Sequence, residues 1–240
     1  MGCRVVVLLS GRGSNLQALL ERIERHDINA EVVGVISNRP GAGGLAIAHA
    51  AGVTTACIDH REHADRVSFE RMLSATIDAL EPDLLLLAGF MRILTPAFVC
   101  HYRARLLNIH PSLLPAHRGL DTHAKALARG DRIHGASVHV VTPELDAGPV
   151  IAQVVVPVMA GDDPPSLAAR VQQGEHLLYP TVLAWYAEGR LELSDEAVRL
   201  DGEVLTASGT RFALDDLSAF PTRCNALRDT LSLNDSSEVP

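Results

Sequence analysis

The sequence is poor in cysteine and has no long hydrophobic run, and both absences exclude classes of protein. Its four cysteines, at positions 3, 57, 100 and 224, are scattered and form no CxxC pair. Neither a disulfide framework nor a zinc knuckle is therefore indicated, and a reducing compartment fits best. The apolar run from Val5 to Leu9 is too short for the core of a signal peptide or for a membrane span. We therefore expect a cytoplasmic protein that does not act at a membrane.

An excess of positive charge is also absent. The formal net charge is −8, which argues against nucleic acid or an anionic membrane surface as the main partner. With 240 residues, of which 47% are hydrophobic and 4% aromatic, the chain can bury one sizeable core. These values favour a single globular domain that acts on small molecules, and they leave a homodimer open.

No complete nucleotide or metal signature is present. The dinucleotide fingerprint requires a glycine where the chain has Leu16, and no Gly-Lys-Ser/Thr triplet marks a nucleoside triphosphate site. Two pairs stand out among the 11 histidines, His117 with His123 and His134 with His139. Neither spacing puts two rings on one helix face, and there is no HExxH pattern. We expect no required metal.

Strand and helix patterns alternate through the first half of the chain. Strand-like apolar runs are expected at residues 5–9, 31–37, 53–58 and 83–90, and helical spacing at 15–24, 44–52 and about 62–80. Because strands that alternate with helices form right-handed crossovers, the pattern predicts an α/β fold with a doubly wound, mostly parallel, Rossmann-like sheet.

The second half predicts a different arrangement. Strand-like runs at 134–141 and 148–158 are joined by a short connection, which favours antiparallel pairing. A long amphipathic helix is expected at 166–189, followed by a hairpin with Asp201 and Gly202 at its turn. We expect one domain over residues 1–208 and a loosely ordered C-terminal extension over 209–240.

The segment LLNIHPSLLP, residues 106–115, carries the strongest catalytic signal. Asn108 and His110 are two residues apart in a strand-like run, so both side chains point to the same side of an extended chain. One can donate a hydrogen bond to developing negative charge while the other moves a proton, as acyl transfer requires. A histidine packed at a strand end would leave the same pattern.

A carboxylate partner for His110 is expected at Asp146, in the turn-rich segment PELDAGP. A carboxylate beside an imidazole stabilises the charged ring, which lets the ring exchange protons near neutral pH. An ordinary turn aspartate is the alternative. His139, in SVHVV, is expected to project toward the same cleft or to pack within its strand.

A glycine-rich turn follows the first strand. Gly13, Ser14 and Asn15 precede an apolar helical pattern, so their backbone N–H groups lie at a helix N-terminus, where the helix dipole favours an anion such as phosphate. A simple helix cap would use the same residue types, and both interpretations stay open on this motif alone.

Five segments, in this order, resemble the folate-dependent phosphoribosylglycinamide formyltransferases: SGRGSNLQALL, LAGFMRIL, LLNIHPSLLP, HGASVHVVTPELDAGPVI and VQQGEHLLYP. The resemblance runs from about Val5 to Gly202. It implies a formyltransferase fold with a phosphate-binding N-terminal half and a folate-binding C-terminal half. The implied reaction passes the formyl group of 10-formyltetrahydrofolate, as co-substrate, to the amine of 5-phosphoribosylglycinamide in purine synthesis.

The resemblance also assigns residues to roles. It implies that the catalytic residues are Asn108, His110 and Asp146. It implies ribonucleotide contacts from Gly13, Ser14, Asn15, Gln172 and Glu175. It implies folate contacts from Arg66, Met91, Arg92, Ile93, Leu94, Asn108, Thr142, Pro143, Glu144, Leu145 and Asp146, with Arg66 at the glutamate tail. The segment from Pro115 to His123 departs from the family pattern near Ala116 and His117, which leaves its contacts open.

Three alternatives remain at this point. Methionyl-tRNA formyltransferase shares the catalytic domain but would need a basic surface and an added RNA-binding domain. A formyltetrahydrofolate hydrolase would pass the formyl group to water and would not need the phosphate turn. A non-catalytic nucleotide-binding module would not need Asn108, His110 and Asp146 together.

Overall fold

An eight-stranded mixed sheet lies at the centre of the computed structural model, which describes residues 2–218. Its first five strands alternate with helices in the order β1 (Cys3–Leu9), α1 (Ser14–Glu24), β2 (Ala30–Ser37), α2 (Gly43–Ala50), β3 (Thr55–Cys57), α3 (Arg66–Asp78), β4 (Leu84–Leu87), α4 (Pro96–His101) and β5 (Leu106–His110). The neighbours among these strands pair in parallel. The predicted doubly wound α/β fold is confirmed.

The second half of the sheet contains the predicted antiparallel pair of strands. It continues with α5 (Thr122–Arg129), β6 (Ile133–Val140), β7 (Val150–Pro157) and α6 (Pro164–Ala187). Strand β6 pairs antiparallel with both β5 and β7. With β11 (Thr210–Ala213) at one edge, the strand order across the sheet is β11-β7-β6-β5-β4-β1-β2-β3. The order in which strands are added reverses between β1 and β4, and open α/β sheets bind their ligands at such a point.

A small antiparallel sheet follows α6. It contains β8 (Leu191–Leu193), β9 (Val198–Leu200) and β10 (Glu203–Val204). The expected turn joins β9 to β10, because Asp201 and Gly202 both have positive φ, 53° and 84°, as tight hairpin turns require.

The main sheet continues past residue 208. Strand β11 (Thr210–Ala213) pairs in parallel with β7, and α7 (Leu214–Ser218) follows it. This differs from the loose extension expected from residue 209 onward. The Phe212 ring packs near Trp185. A long-range contact of this kind cannot be predicted from the sequence of a four-residue strand. Residues 219–240 lie outside the described residues.

The helix expected at about 62–80 begins later than its pattern indicates. Helix α3 starts at Arg66, because the Asp65 carboxylate accepts the Ser68 N–H (2.7 Å) in a capping box. Residues His60–Glu62 form a separate 3-10 turn. The short helices α4 and α5 were not predicted, since six and eight residues give little periodicity.

Side-chain alternation divides the sheet into two faces. Leu107, Ile109 and Val138 belong to the core that packs against α1 and α6, whereas Leu106 belongs to the core that packs against α3 and α4. Because side chains alternate along a strand, Asn108 and His110 lie on the α3 side. The sheet therefore presents the two polar residues together on one face.

Candidate active site

Asn108 is oriented by His139 on the neighbouring strand. The two residues are directly opposite in the β5–β6 ladder, and Asn108 Nδ2 lies 3.1 Å from His139 Nε2. His139 Nδ1 lies 3.0 Å from the Val140 carbonyl oxygen, which can only accept, so Nδ1 carries the proton and Nε2 accepts from Asn108. Burial lowers the pKa of His139 to about 4, so the ring is neutral near pH 7. One of the two Asn108 amide protons is thus used inside the protein.

His110 lies between two acceptors at the end of β5. Its Nδ1 is 3.5 Å from Asp146 Oδ2, and its Nε2 donates to the His117 carbonyl oxygen at 3.1 Å. Both side chains of the His110–Asp146 pair are more than nine-tenths buried. Each ring nitrogen of His110 therefore faces an oxygen acceptor. The predicted meeting of Asp146 with His110 is therefore present.

The Asp146 carboxylate is held in place by backbone as well as by side chains. Its Oδ2 accepts the Gly119 N–H at 2.9 Å, and Oδ1 lies 3.7 Å from His139 Nε2. Asp146 itself has a positive φ of 49°, which a short aspartate side chain tolerates. The loop after β6 thus closes on the loop after β5 around the His110 ring.

The loop that departs from the family pattern is fixed at two points. His117 Nε2 lies 2.6 Å from Asp131 Oδ2, and Arg118 Nη1 lies 3.0 Å from Glu144 Oε1. Sequence reasoning missed the contributions of the His117 carbonyl and the Gly119 N–H. Both are backbone contacts, so the only sequence signal was the glycine at position 119, whose φ is 78°.

The glycine-rich turn has the geometry expected of an anion site. Gly13 is the N-cap of α1 with φ 85°, and a Cβ on it would lie 2.4 Å from the Gly44 Cα. Glycine is required there both by its backbone conformation and by the close approach of α2. The first turn of α1 contains no acidic side chain, so its N-terminal N–H groups face no competing carboxylate on that turn.

Helix α6 brings the expected ribonucleotide residues to this turn. Gln172 Nε2 donates to Ser14 Oγ at 2.9 Å, and Asn15 Nδ2 donates to Glu175 Oε2 at 2.8 Å. Burial raises the pKa of Glu175, while the Asn15 hydrogen bond acts in the opposite direction. The five residues assigned to one substrate are therefore neighbours in space, although 157 positions separate Asn15 from Gln172 along the chain.

A cavity adjoins the site, and both Asn108 and Asp146 line it. Most of the residues expected to contact folate line it, namely Arg92, Ile93, Leu94, Asn108, Thr142, Pro143, Glu144, Leu145 and Asp146. Two expected residues do not. Met91 is about half exposed outside the lining, and Arg66 is exposed at the first residue of α3.

The histidines near the site pair with one another or with an acid. His134 Nε2 lies 3.2 Å from His123 Nδ1, and His117 bonds to Asp131. Within residues 2–218, neither of the two pairs singled out in the sequence, His117 with His123 and His134 with His139, forms a hydrogen bond between its members. Within residues 2–218, no group of three His, Cys, Asp or Glu side chains is arranged to hold a metal ion.

The neutral His139 gives a pH-dependent stability. Its pKa is about 4 in the folded protein and about 6.5 when unfolded, so the unfolded chain binds more protons between these values. The free energy of unfolding should therefore fall as the pH drops from about 6.5 toward 4, by about 1 kcal/mol per pH unit from this residue. Urea unfolding of wild type and His139→Gln at several pH values checks this, because glutamine does not titrate. Parallel pH profiles of the two proteins would contradict it.

No helix within residues 2–218 is long and apolar enough to cross a membrane.

Comparison with known proteins gives one consistent family. The family model described as formyl transferase matches residues 3–183. The chain is 50% identical to phosphoribosylglycinamide formyltransferase of Escherichia coli (strain K12) over 212 residues, which covers 88% of this chain and 99% of that protein. The solved structure of the Coxiella burnetii phosphoribosylglycinamide formyltransferase superposes with a TM-score of 0.85 at 48% identity, covering 88% of this chain and all of the other.

A more distant likeness bears on the hydrolase alternative. A formyltetrahydrofolate deformylase from Pseudomonas putida KT2440 superposes with a TM-score of 0.74 at 28% identity, covering 83% of this chain and 70% of that one. The fold is thus shared between proteins whose names imply different acceptors for the formyl group.

Proposed function

The chain belongs to the formyl transferase family, and on that premise we propose that it transfers the formyl group of 10-formyltetrahydrofolate to the primary amine of 5-phosphoribosylglycinamide. The products are N-formylglycinamide ribonucleotide and tetrahydrofolate, in purine biosynthesis. The observation that carries the proposal is that Asn108 and Asp146 line one cavity, while Gln172 and Glu175 contact the glycine-rich turn that follows β1. Strand β5 lies two positions from β1 in the sheet, so both substrates reach one catalytic pair.

The reaction is an acyl transfer that needs charge stabilisation and proton movement. The neutral amine attacks the formyl carbon, a C–N bond forms, and the formyl oxygen gains negative charge. Asn108 Nδ2 and the His110 Nε2–H donate to that oxygen. When the intermediate collapses, the bond to the folate nitrogen breaks and His110 passes its Nε2 proton toward that nitrogen. The proton that the attacking nitrogen loses returns to His110, so the protons balance.

His110 exchanges one hydrogen bond during this sequence. In the structure its Nε2 donates to the His117 carbonyl oxygen, so the developing oxyanion replaces that carbonyl as the acceptor. Asp146 stays at Nδ1, where it orients the ring and supports its charged form when His110 holds both protons. No residue forms a covalent bond with the formyl group in this scheme, because the amine itself is the nucleophile.

The ribonucleotide is bound at both of its polar ends. Backbone N–H groups of Ser14 and Asn15, at the α1 N-terminus, hold the phosphate after Gly13 has made the turn. Glu175 accepts hydrogen bonds from the ribose hydroxyls, and Gln172 supports Ser14 at 2.9 Å.

The folate occupies the cavity beside Asn108. Arg92 to Leu94 form one wall and Thr142 to Asp146 form the other. The Arg92 Nε atom is buried without a hydrogen-bond partner among the described residues, so it suits a polar group of a bound ligand. Arg66, exposed at the first residue of α3, is assigned to the glutamate tail by the family resemblance alone, and this contact stays a prediction.

A formyltransferase, a hydrolase and a non-catalytic binding module differ in whether an amine is needed to accept the formyl group. The test mixes the purified protein with 10-formyltetrahydrofolate, with and without 5-phosphoribosylglycinamide, and follows tetrahydrofolate release. Release that depends on the amine is expected. Equal release in both mixtures would identify a hydrolase, and no release in either would leave a binding module.

A cytoplasmic location and a homodimer stay predictions from the sequence. Fractionation of cells that express the tagged protein tests the first, and sedimentation velocity over a range of protein concentrations tests the second.

A further inference from the structure

A buried serine that the reaction scheme does not use joins the two substrate loops. Ser10 follows β1 and lies three residues before Gly13, and it is 5% exposed. Its hydroxyl oxygen accepts the Met91 N–H at 2.7 Å. Met91 begins the loop that forms one wall of the folate cavity, so a single atom connects the phosphate loop to the folate loop.

Asn38 fixes the direction of that hydroxyl. Ser10 Oγ donates its only proton to Asn38 Oδ1, at the end of β2, so a lone pair is left to face Met91. Asn38 is 1% exposed, and its backbone carbonyl oxygen accepts from His60 Nδ1 at 3.0 Å. The chain of contacts is therefore anchored on a third strand.

The backbone of the two loops is paired over the same stretch. Ser10 N donates to the Gly89 carbonyl oxygen at 3.1 Å, and Ala88 N donates to the Leu8 carbonyl oxygen at 2.9 Å. These bonds extend the β1–β4 ladder just beyond the ends of both strands. The Ser10 hydroxyl is the side-chain contact that carries this pairing on to the first residue of the folate loop.

We propose that Ser10 is a positioning residue that couples the ribonucleotide subsite to the folate subsite. Ordering of the phosphate loop by the ribonucleotide holds the Met91 amide, and with it the folate wall, in the conformation that binds folate. A ligand at either subsite then reduces the conformational entropy that is lost when the other ligand binds. Each ligand therefore raises the affinity for the other by the same factor. This inference rests on the proposed function, which supplies the two ligands.

The structure offers a matched control in Ser37. Ser37 is also buried and is the last residue of β2. Among the residues that the structure describes, its hydroxyl bonds only to the backbone N and O of Arg39, both at 3.0 Å. Ser37→Ala therefore removes the same hydroxyl group without touching either substrate loop.

The experiment measures binding in a non-reacting pair of ligands, 5-phosphoribosylglycinamide and tetrahydrofolate, by isothermal titration calorimetry. In the wild-type protein, saturation with the ribonucleotide should raise the affinity for tetrahydrofolate by about fivefold or more. Ser10→Ala should reduce this factor to about one to two, and Ser37→Ala should keep the wild-type factor. In steady-state assays, Ser10→Ala should raise KM for both substrates more than it lowers kcat.

A second variant keeps the proposal testable if Ser10→Ala does not fold. Asn38→Leu leaves the hydroxyl in place but removes the acceptor that orients it, so the coupling factor should fall in the same direction. A wild-type protein that binds both ligands without coupling, or a Ser10→Ala protein with the full wild-type factor, would overturn the inference. A protein that binds neither ligand would instead refute the proposed function.

Discussion

Replacing His110 with alanine, or Asp146 with asparagine, should lower kcat for formyl transfer by about a hundredfold or more, while KM for the ribonucleotide stays near its wild-type value. His110 supplies the hydrogen bond to the oxyanion, so its loss removes an interaction made only in the transition state. Asp146→Asn keeps the size of the side chain but removes the charge 3.5 Å from His110 Nδ1. Steady-state kinetics with both substrates measure the effect.

The chain contains a matched control for this pair. His101 and Asp78 form a second histidine–aspartate contact, with His101 Nε2 3.0 Å from Asp78 Oδ2, and both side chains are about half exposed. His101→Ala and Asp78→Asn should therefore change kcat by less than about threefold. Near-wild-type turnover in both His110→Ala and Asp146→Asn would remove these residues from the mechanism.

Replacing Gly13 with alanine should raise KM for the ribonucleotide by at least about tenfold and lower the melting temperature. The added Cβ would lie 2.4 Å from the Gly44 Cα, and backbone atoms cannot move aside as a flexible side chain can. The φ of 85° adds strain for any residue other than glycine. The first turn of α1 therefore has to shift, and the N–H groups that face the phosphate shift with it.

Gly11 provides the comparison for this substitution. A Cβ on Gly11 has no heavy atom within 4 Å, and its φ is not positive. Gly11→Ala should therefore be far milder than Gly13→Ala in both KM and melting temperature. Equal effects of the two substitutions would mean that general stiffening of the loop, and not the contact with α2, determines binding. Titration with the ribonucleotide, monitored by calorimetry, separates binding from turnover.

Most of what could be predicted came from apolar strand runs and from the polar residues that interrupt them. The apolar run at β4 and the spacing of Asn108 and His110 predicted both the sheet and the face on which the pair lies, because alternation along a strand is a geometric rule. The short connection between β6 and β7 predicted antiparallel pairing for a similar reason. The family resemblance predicted that Gln172 and Glu175 belong to the same subsite as the phosphate turn. No local sequence pattern could have predicted this, because the two segments are far apart in the chain.

The features that escaped prediction depend on backbone groups or on distant contacts. The Gly119 N–H and the His117 carbonyl hold Asp146 and His110, yet any residue type supplies such groups. Strand β11 owes its place to pairing with β7 and to the packing of Phe212 near Trp185. Helix α3 began at Arg66 and not near residue 62, because the capping box at Asp65 outweighed the apolar spacing before it.

Following the formyl carbon itself tests the central claim most directly. With 10-formyltetrahydrofolate labelled with carbon-13 in the formyl group and an equal amount of 5-phosphoribosylglycinamide, carbon NMR reports where the label goes. The account predicts that the label appears in the N-formyl amide of the ribonucleotide, in step with tetrahydrofolate release, and that Asp146→Asn slows both together. Label that appears in formate at the same rate with or without the ribonucleotide would contradict it.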